Sequence, residues 1–316
     1  MTTGFRVVGI AVLGVMAGAS LLARSQAGSG LERTIYLTAT DDKGAHVAGL
    51  TIADLTIKDG GKERQILGVE PSKTRMKVAL AIDELLSPDV LIRRAALRFQ
   101  QQLRDTADMA LYLAGRRNEK RVDYTTDVAA FLTAVNALPT RPQAPGNLVE
   151  SVFEIAKAQH TLEGRRVIVT LAPEFPQLSN VTANGVLDQF RDNGTVFYAA
   201  TLVGPVSSTG ALIGPNSSTS AESGTISSRL EGGDFTQQQE RDRVLGQGTK
   251  QTGGLKLESA SVAAMPAALD RISNALLHEY KVTYVLPAGS KSDGSVSLTS
   301  KRNGVTLRGP NRLPKV

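Results

Sequence analysis

From Met76 onward, short apolar runs alternate with segments of helical period, and this alternation limits the fold more than any other pattern in the chain. Residues 78–82 form a continuous apolar run, which is typical of a strand buried on both faces. Further strands are predicted at residues 109–113, 167–171 and 196–202. Because helical segments fall between these strands, we predict an α/β fold with a mostly parallel sheet that helices cover on both sides.

Capping residues and apolar stripes place the helices. Ser87 is a suitable N-cap and Pro88 fits a first helical position, so we expect a helix directly after the first buried strand. Gly194 is expected to end a later helix. The stripes expected to face the core are Ile92, Ala95, Ala96, Phe99 and Leu103, then Val128, Phe131, Leu132, Val135 and Leu138, and then Leu148, Val152 and Ile155.

Segments on both sides of this region have the pattern of β structure. Apolar and polar residues alternate with period two between Thr34 and Val69, and Asp41-Asp42-Lys43-Gly44 is a turn sequence. Strands are also predicted at residues 280–286, 295–299 and 305–308. We therefore expect a small antiparallel β unit formed by the N-terminal and C-terminal strands.

Changes in composition divide the 316-residue chain into segments. Residues 204–229 are dominated by Ser, Thr, Gly, Pro and Asn, and the polar stretch up to Gly254 is expected to share their mobility. The predicted segments are a signal peptide (1–27), the N-terminal β unit (28–72), the first part of the α/β domain (73–203), a low-complexity mobile insertion (204–254), the last strand and helix of the α/β domain (255–279) and the C-terminal β strands (280–316).

The first segment has the composition of an export signal. Arg6 is the only charge before Arg24, and the stretch between them is apolar and interrupted by glycines. Ser25 and Ala27 are small residues ahead of a cleavage point near Gly28. We therefore expect an exported protein, periplasmic or extracellular. An uncleaved anchor is the alternative, since an apolar run of this length lies at the lower edge of what spans a bilayer.

Composition excludes several kinds of function. The chain has no Cys, which rules out disulfides, thiolate metal sites and a Cys nucleophile, and only three His, too few for a histidine-rich metal site. Trp is absent, and the 36 basic and 30 acidic residues are spread along the chain, so the net charge of +6 favours solubility over nucleic-acid binding. The sequence contains neither Gly-x-Ser-x-Gly nor Ser-x-x-Lys, and none of the histidines has an obvious paired acid.

Several short sequences, in this order, resemble those of exported bacterial proteins with a von Willebrand factor type A-related domain. They are Asp41-Asp42-Lys43-Gly44, residues 49–55, residues 59–62, residues 78–83, residues 166–171, Thr252-Gly253-Gly254 and residues 268–272. The resemblance covers most of the chain after the signal segment. It implies a doubly wound domain whose ligands bind at the C-terminal ends of the strands.

Many domains of this superfamily hold Mg²⁺ through Asp-x-Ser-x-Ser after the first strand, a Thr on a later loop and an Asp after the fourth strand. By resemblance, Asp83 matches the first Asp and Ser87 the second Ser, but Leu85, Asn147 and Pro173 stand at the other positions. Since Mg²⁺ needs oxygen ligands in near-octahedral array, this remnant of Asp83 and Ser87 predicts no metal site and no cofactor.

The remaining polar residues also have structural explanations. Ser87 can cap the helix that Pro88 opens, and Asn147 with Glu150 three residues later forms an N-terminal capping pair. Asp83, at a strand end that faces helix N-termini, would be stabilised by their dipoles with no metal present.

These observations favour a non-enzymatic protein-interaction module of the cell envelope that binds a protein partner without metal. The expected partner-binding edge comprises the loop residues Glu84, Leu85, Leu86, Asn147 and Glu174. Leu85-Leu86 would be an apolar anchor if exposed and part of the core if buried. No nucleic-acid partner and no small-molecule substrate are indicated.

Two alternatives from other classes stay open. The first is a cation-dependent adhesion module in which Asp83, Glu84 and Glu174 hold Mg²⁺ or Ca²⁺ in a rearranged site. The second is an exported hydrolase without a recognisable motif, which would require a pocket where polar groups converge.

Overall fold

The computed structural model describes residues 30–86, 90–140, 147–174, 179–203 and 234–316. Its strands are β1 (Leu31–Thr40), β2 (Leu55–Asp59), β3 (Lys62–Arg64), β4 (Ile66–Pro71), β5 (Met76–Asp83), β6 (Ala107–Ala114), β7 (Asn118–Thr125), β8 (Arg165–Pro173), β9 (Val196–Leu202), β10 (Lys256–Ser259), β11 (Tyr280–Leu286), β12 (Val296–Ser300) and β13 (Thr306–Arg308). Its helices are α1 (Val90–Leu103), α2 (Val128–Asn136), α3 (Leu148–Gln159), α4 (Ala183–Asn193), α5 (Asp234–Arg243), α6 (Thr249–Thr252) and α7 (Met265–Leu277).

A six-stranded sheet in the order β10-β9-β8-β5-β6-β7 forms the centre of the α/β part. Its pairings are parallel except that β7 runs antiparallel to β6 at one edge. Strand β5 lies between β6 and β8, so the chain winds away from it in both directions, as in doubly wound sheets. The predicted α/β fold class is confirmed.

Helices cover both faces of this sheet because the side chains of each strand alternate between two cores. Val78, Leu80 and Ile82 of β5 belong to the core that includes α1, α2 and α7. Ala79 and Ala81 face the opposite core, which includes α3, α4 and the π-helical turn Val244–Gly248. Both faces are therefore apolar, which explains the continuous run of apolar residues in the sequence.

The predicted β unit, formed from both ends of the described chain, is also confirmed. One sheet has the order β13-β1-β11-β4, with β1 antiparallel to both β11 and β13. A second sheet has the order β12-β2-β3. Their shared core contains Ile35, Leu37, Ile57 and Val282, and Tyr284 is fully buried among them.

Most of the predicted helix features agree with the structure. The stripe of α1 is buried, and Gly194, with φ of 63°, follows the last residue of α4. In α2 the stripe is narrower than expected, because Leu132 is 40% exposed. The predicted cap Ser87 and Pro88 lie outside the described residues, as do the signal segment 1–27 and residues 204–233.

The structure differs from the sequence-based expectation in two places. Strand β7 was not predicted, because its residues are mostly polar. Residues 234–252, expected to belong to a mobile insertion, form α5, a π-helical turn and α6, and Val244 and Leu245 are buried in the core. The proposed division into domains stays a prediction.

Within the described ranges, no helix combines the length and apolar character that a membrane crossing requires.

Candidate functional site at the strand-end edge

The carboxyl ends of β5, β6, β8 and β9 meet at one edge of the central sheet, which we call the strand-end edge. Register brings Asp83 opposite Ala114, Ile82 opposite Leu171, and Pro173 opposite Leu202. Open α/β sheets bind their ligands at this edge, because loops from neighbouring strands converge there. The sequence-predicted residues of β5 and β8 therefore do lie at a common edge.

Asp83 ends β5 and is completely buried. Its Oδ1 accepts the N–H of Leu85 at 2.9 Å, which turns the chain into the short 3₁₀ segment Glu84–Leu86. This carboxylate thus has a local structural role in shaping the turn that follows the strand.

The two leucines of this turn have different environments. Leu85 is half-buried, whereas Leu86 is only 6% exposed and packs in the core with α1. The structure therefore excludes the pair as an exposed apolar anchor. Of the two residues, only Leu85 is accessible at the edge.

Glu84 is buried against the chain that leaves β6. A Cβ on Gly115 would overlap its Oε2 and lie 3.4 Å from its Cδ, so the absence of a side chain at Gly115 makes room for this carboxylate. Glu84 forms one wall of a cleft of about 600 Å³ whose lining also includes Arg116, Arg117 and Arg121. These arginines were not predicted from the sequence, because Arg116 and Arg117 lie on a short turn and Arg121 lies on the polar strand β7, with no recognisable motif.

The charges of this cleft are only partly neutralised. Arg121 pairs with Glu119 at 2.9 Å. Arg116 and Arg117 are exposed, and neither has a side-chain hydrogen bond or ion pair within the described ranges. Two guanidinium groups at the mouth of the cleft are therefore available for an anionic ligand.

Asn147 caps α3, as its spacing to Glu150 predicted. Its side-chain oxygen accepts the N–H of Glu150 at 3.3 Å, and its Nδ2 donates to the Glu150 carboxylate. Its backbone N–H donates to the carbonyl of Gly115 at 3.0 Å, which links the start of α3 to the strand-end edge. The side chain is consequently committed to the cap.

Glu174 follows β8 and is half-buried, with its Oε1 4.0 Å from Nζ of Lys256. It does not complete the rearranged cation site, since the described residues contain no group of three or more His, Asp or Glu side chains placed to hold a metal ion. Ser87, the other remnant of the expected ligand set, is outside the described ranges.

Arg241 is a further residue at this edge that was not predicted from the sequence. It extends from α5, is 1% exposed, and donates from Nη2 to the carbonyl of Pro173. A helical stripe could have revealed it, because Arg241, Val244, Leu245 and Gly248 recur at helical spacing and all four are buried. The polar composition of the segment concealed that pattern.

The residues at this edge do not fit the divalent ion that the resemblance associates with the fold. Pro173 has no side-chain oxygen, Leu85 is apolar, and the Asn147 amide is used in the helix cap. Arg241 also adds a positive charge beside the carboxylates. A hard cation prefers several oxygen donors and negative surroundings, and these side chains provide neither.

Comparisons with known proteins concern the fold alone. No protein-family model and no curated protein matches the chain. Solved structures that it resembles include BatB from Bacteroides thetaiotaomicron (15% identity, 64% of this chain, 98% of that chain, TM-score 0.43). A second is the mussel byssus protein PTMP1 with a zinc-occupied MIDAS motif (10% identity, 69% of this chain, 49% of that chain, TM-score 0.43). A third is the vWF domain of the pilus tip protein Mfa5 from Porphyromonas gingivalis (10% identity, 65% of this chain, 96% of that chain, TM-score 0.42). The strand order of the central sheet itself shows a doubly wound α/β fold.

Proposed function

We propose that this chain is a non-enzymatic protein-interaction module of the cell envelope that binds an acidic segment of its partner at the strand-end edge, without a divalent cation. The observation that carries the proposal is the cleft lined by Arg116, Arg117 and Arg121. It lies where doubly wound sheets bind ligands, and two of its guanidinium groups lack partners within the described part of the chain.

The shape of the Arg116-Arg117 turn favours an extended acidic ligand. The turn is bordered on one side by the 600 Å³ cleft and on the other by a cleft of about 310 Å³ lined by Asn147, Glu150 and Glu154. Guanidinium groups form paired hydrogen bonds with carboxylates, so a peptide that places Asp or Glu across the turn would satisfy both arginines. Leu85 and Glu174 are proposed to border this surface.

The environments of the histidines support a non-enzymatic role. His46 and His278 contact each other, with their ring centroids 4.7 Å apart. His160 bonds through Nδ1 to Oδ1 of Asn193 at 2.7 Å. These contacts are with another imidazole or with an amide, and neither is the pairing of a histidine with a nucleophile that covalent catalysis uses.

The assignment to the envelope rests on the signal-like segment 1–27. We propose that cleavage near Gly28 releases the domain into the periplasm or to the cell exterior. N-terminal sequencing of the protein recovered from envelope fractions measures this, and an intact Met1 in membrane pellets would favour the uncleaved anchor.

Binding is tested first by affinity capture from an envelope extract, followed by biolayer interferometry with the purified captured protein. Changing Arg116→Gln and Arg117→Gln together should weaken that interaction by at least about tenfold, since each charge-assisted contact contributes about 1.5–3 kcal/mol. EDTA should leave the affinity unchanged.

The matched control is Lys43→Gln with Arg104→Gln, which removes the same charge at exposed sites away from the cleft. Equal loss of binding in both double variants would show that only net charge matters and would reject the cleft as the binding site. Loss of binding in EDTA, restored by Mg²⁺ and abolished by Asp83→Asn, would instead establish the cation-dependent alternative.

A further inference from the structure

A buried arginine at the strand-end edge has no role in the proposed partner cleft. Arg241 reaches the edge from α5, and its side chain is 1% exposed. Its Nη2 donates to the carbonyl of Pro173, the residue at the position of the expected Asp ligand. A guanidinium group therefore contacts the end of β8, where the resemblance places a metal-binding carboxylate.

Two of the guanidinium nitrogens have no hydrogen-bond acceptor. Nε and Nη1 of Arg241 are both buried and unpaired among the described residues. The nearest carboxylate in an ion pair, Asp242, is 3.9 Å from Nη1. Because a buried charge is retained only where other charges or dipoles compensate it, the negative charges around Arg241 must account for its position.

Asp83 is the buried anion on the neighbouring strand. Ile82 pairs with Leu171 in register, so Asp83 lies beside the last residues of β8, whose final carbonyl Arg241 binds. Burial lowers the pKa of Arg241, and the negative charges of Asp83, Asp242 and Glu174 act in the opposite direction. Of these acids, only Asp83 is completely buried with the arginine.

We propose that Arg241 is the resident cation of the strand-end edge: its guanidinium supplies the positive charge that a divalent ion supplies in type A domains with an intact metal site. Asp83 is then the structural counter-charge of Arg241. This inference goes beyond the proposed function, because it concerns how the edge is held together and stands whether or not Arg116 and Arg117 bind a partner.

The charge balance explains why a metal would not be added to this arrangement. A divalent ion beside Asp83 would be repelled by the fixed guanidinium. It would also lack the oxygen ligands that Pro173 and Leu85 fail to provide. Arg241 and a divalent ion are thus alternatives for the same carboxylate.

A double-mutant cycle on the purified chain tests the coupling. Asp83→Asn and Arg241→Met each leave the other charge buried and uncompensated, so each should lower the melting temperature by several degrees. The double variant removes both charges, so its melting temperature should decrease by much less than the sum of the two single decreases. If the decrease measured for the double variant equals the sum of the two single decreases, the proposal is overturned.

The matched control cycle combines Asp83→Asn with Arg165→Met. Arg165 is 2% exposed on its side chain and begins β8, whereas Pro173 ends it. Because these two charges lie at opposite ends of the sheet, their effects should add. Equal coupling in both cycles would also overturn the specific pairing of Asp83 with Arg241.

Calorimetric titration of the unmodified chain with MgCl₂ and with MnCl₂ tests the second consequence and does not depend on the folding of the Arg241 variant. No saturable heat is expected up to about 1 mM, the weak end of dedicated protein sites. Saturable heat that disappears in Asp83→Asn would show that a metal shares the site with Arg241 and would reject the proposal. Neither experiment measures partner capture, so its outcome is separate from that of the cleft variants.

Discussion

Arg165 and Glu279 form a buried ion pair between the two parts of the molecule. Nη2 of Arg165 donates to Oε1 of Glu279 at 2.5 Å, and the two side chains are 2% and 3% exposed. The guanidinium also lies over the ring of Tyr36 in β1, 4.5 Å from its centroid. This arginine therefore connects the start of β8 to the antiparallel unit.

Glu279→Gln should lower the free energy of unfolding by about 3–5 kcal/mol, because it leaves the Arg165 charge buried without its counter-charge. Urea denaturation monitored by circular dichroism measures the change. The control is Glu70→Gln, which removes an exposed pair with Lys281 and should change stability by less than about 1 kcal/mol. A similar small change in both variants would contradict the structural role of the buried pair.

His46 should make stability depend on pH. Burial, and secondarily the neighbouring His278, lower the pKa of His46 below its ordinary value of 6.5. The unfolded chain then binds protons more readily than the folded chain, so the unfolding free energy should fall as the pH decreases from 6.5 through the lowered value. Above that window this contribution to stability is fully present.

Urea midpoints measured from about pH 8 to about pH 5 check this expectation. Replacing His46 with Gln should flatten the decrease on the acidic side, since the variant has no imidazole to protonate. Parallel curves for the two proteins would show that His46 does not contribute.

Local spacing determined which individual residues could be predicted. The cap formed by Asn147 and Glu150 was predictable, since its members are three positions apart. The place of Asp83 at the end of an apolar strand was also predictable, and the structure confirms it. Arg241 could not be assigned to the edge, because 68 positions separate it from Pro173 and only the tertiary fold joins them.

At the scale of elements, the connection from α6 to β10 depends on a close backbone approach. A Cβ on Gly254 would overlap the carbonyl oxygen of Phe197 in β9 and lie 2.7 Å from its carbonyl carbon. Gly254→Ala should therefore reduce the unfolding free energy by about 1–3 kcal/mol, the usual range for overpacking.

Gly246→Ala is the corresponding control, because a Cβ at that position has no atom within 4 Å and the backbone is not in the left-handed region. It should be neutral or slightly stabilising, by up to about 1 kcal/mol. Chemical denaturation of both variants decides the point, and equal stability of the two proteins would reject the steric explanation.

The alternation of apolar runs was enough to predict the buried strands, but it failed for elements with mixed surfaces. Strand β7 lies at the edge of the sheet and contains charged residues, which are common where a strand has one unpaired side. Helix α5 exposes a polar face, and its buried position at Arg241 is charged, so its inward face did not appear apolar.

At the scale of the whole molecule, composition and periodicity predicted two structural parts and the layer arrangement of the larger one. They did not predict strand order, because the apolar pattern of β5 would be the same at any central position of the sheet. Nor did they predict the clefts, since Glu84, Arg121 and Arg116 come together only when β5, β6 and β7 pair.

Strand β1 lies between β11 and β13, so both strands that pair with it come from residues 280–308. Leu31, for example, pairs with Leu286. Such distant pairing closes a very long loop, which slows folding. This four-stranded sheet therefore cannot be completed until residues up to Arg308 have been synthesised.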